Sequence, residues 1–295
     1  MMKVTGFTFI KNAIVYDYPI VEAITSILPI CDEFIVAIGD SKDETTALIE
    51  SINSDKIKVI HTVWDESLRE GGAVLADETN KAFQAISDDT DWCFYIQGDE
   101  VVHEKYLPII HAAMLDNLKD SRVEGLLFKY THFYGSYDYV GSSSRWYEHE
   151  IRVVRNNKDI RSYRDAQGFR KWTNGELVKL NVKPIDAYIY HYGWVKEPAA
   201  MQRKQESFNK LWHSDEWVEK NVAKVEAFEY EKNISVLAKF EGTHPKVMKK
   251  RLNAKNWQFN YDISYNRSTL KEKAKAFLKK YLNLDFSYKN YRILK

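Results

Sequence analysis

Apolar positions in the first half of the chain switch repeatedly between two spacings. Val4-Thr5-Gly6-Phe7-Thr8-Phe9-Ile10 reads as a strand. Pro19 opens a helical pattern through Val21, Ile24 and Leu28, since proline suits a first helical turn. Phe34-Ile35-Val36-Ala37-Ile38 is a continuous apolar run, as expected of a strand buried on both faces. A helix follows over Asp43–Ile52, a strand over Ile57–Thr62, a helix over Ala73–Ile86 and a strand over Trp92–Ile96. Leu107, Ile110, Ala113 and Met114 share one face of a helix over His103–Leu118, and Gly125–Tyr130 is strand-like again. Repeated β-α units of this size predict an α/β fold with a mostly parallel sheet flanked by helices.

After Tyr130 the alternation stops. An aromatic, Gly/Ser-rich stretch runs to Tyr147, and further strands are expected over Glu150–Asn156 and Ala187–Tyr192. From Pro198 onward the pattern is helical. The expected organisation is therefore one α/β domain over residues 1–200 and a helical, basic region over 201–295.

Ligands of open parallel sheets bind beyond the carboxyl ends of the strands, so the residues just after each strand are the first candidates. They are Lys11 and Asn12, then Asp40 to Thr45, then Gln97-Gly98-Asp99-Glu100. No Gly-x-Gly-x-x-Gly follows the first strand and no Walker-type phosphate loop is present, which argues against a dinucleotide oxidoreductase and a P-loop nucleotidase. The crevice offers carboxylates instead. A carboxylate facing a nucleoside diphosphate repels it unless a divalent cation such as Mg²⁺ or Mn²⁺ lies between them.

Taken in order, four segments resemble glycosyltransferase family 2 enzymes of the GT-A type. They are Phe9-Ile10-Lys11-Asn12-Ala13, Asp40-Ser41-Lys42-Asp43-Glu44-Thr45, Arg69-Glu70-Gly71-Gly72 with Asn80, and Gln97-Gly98-Asp99, where the family has Asp-x-Asp. Arg152-Val153-Val154-Arg155-Asn156 and Tyr163 to Gly168 are similar to the acceptor-side segment. The resemblance covers residues 3–210. It implies a GT-A sheet, a nucleotide-sugar donor, a Mg or Mn ion, and inverting transfer to a glycan or lipid-linked acceptor in polysaccharide biosynthesis. It also implies that Asn12, Asp40, Asp43, Arg69 and Gln97 line the donor and that Asp99 holds the metal. His191 would join the metal or diphosphate, or else be a core histidine bonded to backbone.

Asp165 would be the general base on the acceptor hydroxyl. The alternative for it is an ion pair with Arg161, Arg164 or Arg170, with Glu148 and Glu150 as reserve bases. Lys196, Arg203 and Lys204 either neutralise the diphosphate or form a solvated face. The chain departs from the pattern at Gln97, which replaces the first acid of Asp-x-Asp, and at Gly39, after which the base-recognising carboxylate is either Asp40, shifted by one, or missing. Two other functions remain open. A sugar nucleotidyltransferase would need a Gly-rich basic loop after the first strand, and a carbohydrate-binding descendant of a transferase would carry Gln97 as the mark of a lost site.

Composition adds three points. Tyr 19, Phe 14 and Trp 8 are an aromatic surplus suited to core filling and to stacking on sugars. Cys31 and Cys93 are expected as buried thiols, and neither a signal peptide nor a bilayer-length apolar run is legible, so a cytoplasmic location is expected and no nucleic-acid partner. The net charge of +1 hides a split: residues 246–295 hold 14 Lys/Arg against 3 Asp/Glu, while the rest hold 29 against 39. Leu270, Ala274, Phe277, Leu278 and Tyr281 form one stripe there, flanked by Lys271, Lys273, Lys275, Lys279 and Lys280. Such a helix either lies on an anionic membrane surface or packs its stripe on the domain or on a second subunit.

Overall fold

The computed structural model describes residues 1–68, 70–222, 225–234, 236–265, 268–282 and 288–294. Its first half follows the sequence pattern closely. Strands β1 (Val4–Ile10), β2 (Glu33–Ile38), β3 (Ile57–His61) and β4 (Trp92–Tyr95) alternate with helices α1 (Ile20–Ile27), α2 (Thr45–Glu50) and α3 (Ala73–Gln84). Strand β5 (Glu100–Val102) and helix α4 (Leu107–Asp116) follow, then β6 (Gly125–Tyr134), β7 (Ser136–Gly141), β8 (His149–Arg155), β9 (Ile160–Tyr163), β10 (Gly168–Thr173) and β11 (Glu176–Trp194).

The strands lie in the order β3-β2-β1-β4-β8-β6-β11-β10-β9. β1 to β4 run parallel, β8 enters antiparallel between β4 and β6, and β6 pairs parallel with β11. Counted over the described residues, five ladders are parallel and seven antiparallel. The sheet is therefore mixed, and the mostly parallel expectation is corrected: the β3-β2-β1-β4 part is wholly parallel, and beyond it antiparallel ladders mix with the parallel β6–β11 and β11–β13 pairs. The aromatic stretch after Tyr130, which showed no β-α alternation, adds the antiparallel strand β7.

Side-chain alternation splits the core in two. Val4, Phe34, Val36, Trp92 and Phe94 face α1 and α4, whereas Phe7, Ile35, Cys93 and Tyr95 face α3. On α1 the buried Ile20, Ala23, Ile24 and Ile27 repeat at helical spacing. Gly6 is required here, because a Cβ would sit 2.4 Å from the Phe34 ring. Both cysteines are free and buried, as expected, and burial pushes the Cys31 thiol up to about 12.

The region after β11 is only partly helical. Helices α5 (Pro198–Lys210), α6 (Asp215–Asn221), α7 (Lys249–Ala254) and α8 (Leu270–Leu282) are interrupted by irregular chain. Strands β12 (Leu237–Lys239) and β13 (Tyr291–Ile293) add to β7 and β11. A helical C-terminal extension is thus not clearly shown: Leu237 and Tyr291 sit in segments that find edges of the same sheet. No helix among the described residues is long and apolar enough to cross a membrane.

Candidate active site

The carboxyl ends of β1, β2 and β4 open onto one cleft of about 970 Å³, lined by Asn12, Asp40, Gln97, Asp99, Asp165 and His191 among others. Six residues scattered over the sequence reading are thus brought together. Asp43 is not among the cleft-lining residues. Its carboxylate accepts the backbone N–H groups of Ile14, Val15 and Thr45 and the Thr45 hydroxyl, fixing the turn after β1 to the start of α2. Arg69 lies outside the described residues.

Each lining residue carries a local job. Asn12, at φ 52°, accepts the Lys42 N–H at 2.7 Å, which ties the first two loops together. Asp40 pairs with Lys11 at 2.6 Å and is partly exposed; burial opposes its charge, but the Lys11 bond lowers its pKa overall. Gln97 donates its amide to the Ala166 carbonyl at 3.2 Å, so this side chain steadies the loop that carries Asp165. Asn80 of α3 clamps Ser162 through two backbone hydrogen bonds of 2.8 and 3.0 Å, holding β9 ahead of the same loop.

Glu100, adjacent to Asp99, turns away into the core. It meets Arg152 in a two-pronged ion pair of 2.7 and 2.8 Å, both side chains fully buried, and accepts from Tyr130. Arg152 also donates to the Gln167 carbonyl, again bracing the Asp165 loop. Among the described residues no ion pair joins Asp165 to Arg161, Arg164 or Arg170. Burial raises the Asp165 pKa. That direction brings a carboxylate nearer to the range a general base needs.

The electrostatic centre is Asp99. β5 pairs antiparallel with β11 so that Glu100 stands opposite His191, and the parallel β6 places His132 on the other side of His191. The Asp99 Oδ1 is 3.7 Å from His191 Nε2, and its Oδ2 is 3.0 Å from Lys204 Nζ. Burial would raise the Asp99 pKa, but the Lys204 ammonium, foremost, holds it far below the usual carboxylate range. Gly193 is needed beside them: a Cβ would lie 2.6 Å from His191 Nε2 and 2.7 Å from Asp99 Oδ2.

The proton on His191 follows from its neighbours. His132 Nε2 lies 2.8 Å from the Tyr147 carbonyl, which only accepts, so that nitrogen is protonated. Burial lowers the His132 pKa to about 3, so the ring is neutral and its Nδ1 is a lone pair. This Nδ1 is 3.1 Å from His191 Nδ1, which must then be the donor. In its neutral form, which burial favours, His191 turns an unprotonated Nε2 toward Asp99. Two acceptors face each other across a gap that suits a cation.

Among the described residues no group of three or more His, Cys, Asp or Glu could hold a metal by itself. Asp99 and His191 could supply two ligands, one oxygen and one nitrogen. That set fits a Mg²⁺ or Mn²⁺ ion that completes its shell with water and substrate phosphate. The pair thus fits the ion only as a shared site.

Part of the lining was not legible in the sequence. Beside Lys204, which the sequence offered for the diphosphate, Phe208, Leu211 and Trp212 at the end of α5 and in the turn after it line the cleft, as does Trp64. The Trp64 and Trp212 indole N–H groups are buried without a hydrogen-bond partner among the described residues. Lys196 is buried instead, donating to the Asp17 carbonyl at 2.5 Å, and Arg203 is exposed. The clustering of Phe208, Leu211 and Trp212 at the end of a polar helix was the available signal. Most of the aromatic stretch around Phe133, Tyr134 and Tyr137 is core, while Tyr147 lines the cleft.

The chain is structurally similar to GT-A glycosyltransferases at low identity. The 1–349 fragment of Staphylococcus aureus TarS in complex with UDP matches over 76% of this chain and 68% of that one, at 14% identity and a TM-score of 0.40. Glucosyl-3-phosphoglycerate synthase from Mycobacterium tuberculosis, solved with Mn²⁺, UDP-glucose and phosphoglyceric acid, matches over 44% of each chain at 18% identity and a TM-score of 0.30. 4-Diphosphocytidyl-2C-methyl-D-erythritolsynthase from Anaerococcus prevotii matches over 52% of this chain and 70% of that one, at 11% identity and 0.33. This chain spans less than half the length of the mycobacterial synthase. No protein-family model matches the chain, and no curated relative matches it by sequence. With TM-scores this low, the architecture stands on strand order and register alone.

Proposed function

We propose that the chain is an inverting, metal-dependent glycosyltransferase that moves a sugar from a nucleotide-sugar to a glycan or lipid-linked acceptor. The observation that carries the reading is the pair of opposed acceptors, Asp99 and His191, on a cleft that also holds Asp165. Asp99 and His191 would hold the divalent cation, which when bound neutralises charge on the leaving diphosphate. Lys204 supplies a second, fixed positive charge at the same place. Asp165 takes the proton of the acceptor hydroxyl as its oxygen attacks the anomeric carbon. The bond from that carbon to the diphosphate breaks, and the diphosphate leaves with the electron pair. Asn12 and Asp40 line the donor nucleotide, and Gln97 serves the Asp165 loop.

A nucleotidyltransferase is less well supported, because the turn after β1 carries only Lys11 to grip a triphosphate, and that lysine is paired with Asp40. The test is release of nucleoside diphosphate from a panel of nucleotide-sugars, with and without Mn²⁺ and chelator. Release from one donor, lost in Asp99→Asn, supports the reading. Absence of both release and donor binding across the panel overturns it.

A further inference from the structure

Helix α8 is attached the wrong way round for a helix that packs into a core. Glu272 and Lys279 are seven residues apart and share a face. Glu272 pairs with Arg145 at 2.7 Å, and Lys279 pairs with Glu148. At 3.6 residues per turn, Leu270, Ala274, Phe277 and Tyr281 fall on the opposite face. They point away from the protein: Leu270 is 86%, Phe277 57% and Tyr281 64% exposed. The polar side of an amphipathic helix is thus clamped to the 145–148 loop while its apolar stripe faces out. Scattered exposed apolar residues are ordinary, but a contiguous stripe marks an interaction surface.

We infer that α8 seats this stripe in the surface of an anionic lipid membrane. Lys273 is exposed beside the stripe, Lys275 is exposed toward the side of Glu272 and Lys279, and residues 246–295 carry 14 basic against 3 acidic residues. The side chains of Lys271 and Lys280 lie outside those described. An apolar stripe bordered by lysines matches the headgroup boundary of an anionic leaflet. The same border disfavours a second copy, because stripe-to-stripe pairing would bring lysines against lysines. The gripped loop also contains Tyr147, which lines the cleft. This inference is independent of the transferase reading.

The test is flotation of the full chain with vesicles of neutral phosphatidylcholine, or of phosphatidylcholine with phosphatidylglycerol, at low and high salt. Flotation only with the anionic vesicles at low salt is expected. Lys273→Gln with Lys275→Gln should weaken binding roughly thirty-fold, about 1 kcal/mol for each lysine. Leu270→Gln with Phe277→Gln should abolish it, with the melting temperature unchanged in both variants. Recovery of the wild type below the gradient in all four conditions overturns the inference, as does equal flotation on both lipids. Self-association that disappears with the stripe variant, without vesicle binding, assigns the stripe to a second copy and overturns it too.

Discussion

Lys204 and His191 divide Asp99 between them: the ammonium stands 3.0 Å from one carboxylate oxygen and the imidazole Nε2 3.7 Å from the other. The proposed metal must therefore share Asp99 with a resident cation. This gives two effects of opposite sign for Lys204→Met. Mn²⁺ affinity without nucleotide should rise, because the carboxylate loses its competitor. Turnover should fall by orders of magnitude, because the departing diphosphate loses a fixed charge. Calorimetric Mn²⁺ titration and steady-state kinetics read the two separately. Weaker Mn²⁺ binding in the variant would remove Asp99 from the metal site.

His132 is not itself among the cleft-lining residues, yet it sets the proton of His191. Long-range ¹⁵N spectra of the histidine rings should show His191 protonated at Nδ1 and bare at Nε2. His132→Leu should scramble that preference and weaken Mn²⁺ binding about 10–100-fold, the usual effect of removing a partner behind a metal ligand. A His191 ring protonated at Nε2 in the wild type would defeat the argument.

Asp165→Asn should abolish transfer and leave nucleotide binding intact, since the proposed base acts on the acceptor alone. Gln97→Ala should give a milder loss of kcat, because it frees Ala166 and loosens the loop without removing the carboxylate. Wild-type turnover in Asp165→Asn would move the role elsewhere. Glu148 is tied to Lys279 and Glu150 is buried, so neither is ready to replace it.

Glu150 makes a prediction about stability and pH. It is buried, one carboxylate oxygen has no hydrogen-bond partner among the described residues, and burial raises its pKa from 4.5 to about 8. Between those values the native state holds a proton that the unfolded chain has lost. Stability therefore falls as pH rises across that window and levels off above it. Glu150→Gln cannot ionise. It should raise the melting temperature at pH 9, by a free energy on the order of a few kcal/mol, and change little at pH 4. An equal effect at both pH values would show that Glu150 does not titrate this way.

The buried pair Glu100–Arg152 predicts a different behaviour. Arg152→Leu alone strands a carboxylate in the core and should cost about 3–5 kcal/mol, whereas Glu100→Leu with Arg152→Leu should recover much of it. Denaturant melts of the two variants decide this. If the double variant is as unstable as the single one, the hydrogen bonds to Gln167 and Tyr130 dominate over the charge.

The sequence by itself determined the β-α order through β4 and the loops that supply Asn12, Asp40, Gln97 and Asp99. Burial on both faces of β2 and a helical stripe on α1 are patterns written in neighbouring residues, and parallel strands put their following loops on one edge. What those side chains do there was decided only by tertiary contacts. Lys204 reaches Asp99 across 105 residues of sequence, and His191 meets it because β5 pairs antiparallel with a 19-residue β11. Nothing local distinguishes Glu100, locked to Arg152 in the core, from Asp99 on the cleft, because the turn between β4 and β5 sends adjacent side chains in different directions. The amphipathic pattern of α8 was equally plain, but only the ion pairs of Glu272 and Lys279 fix which face turns outward. Periodicity reports the two sides of a helix, and long-range partners choose between them.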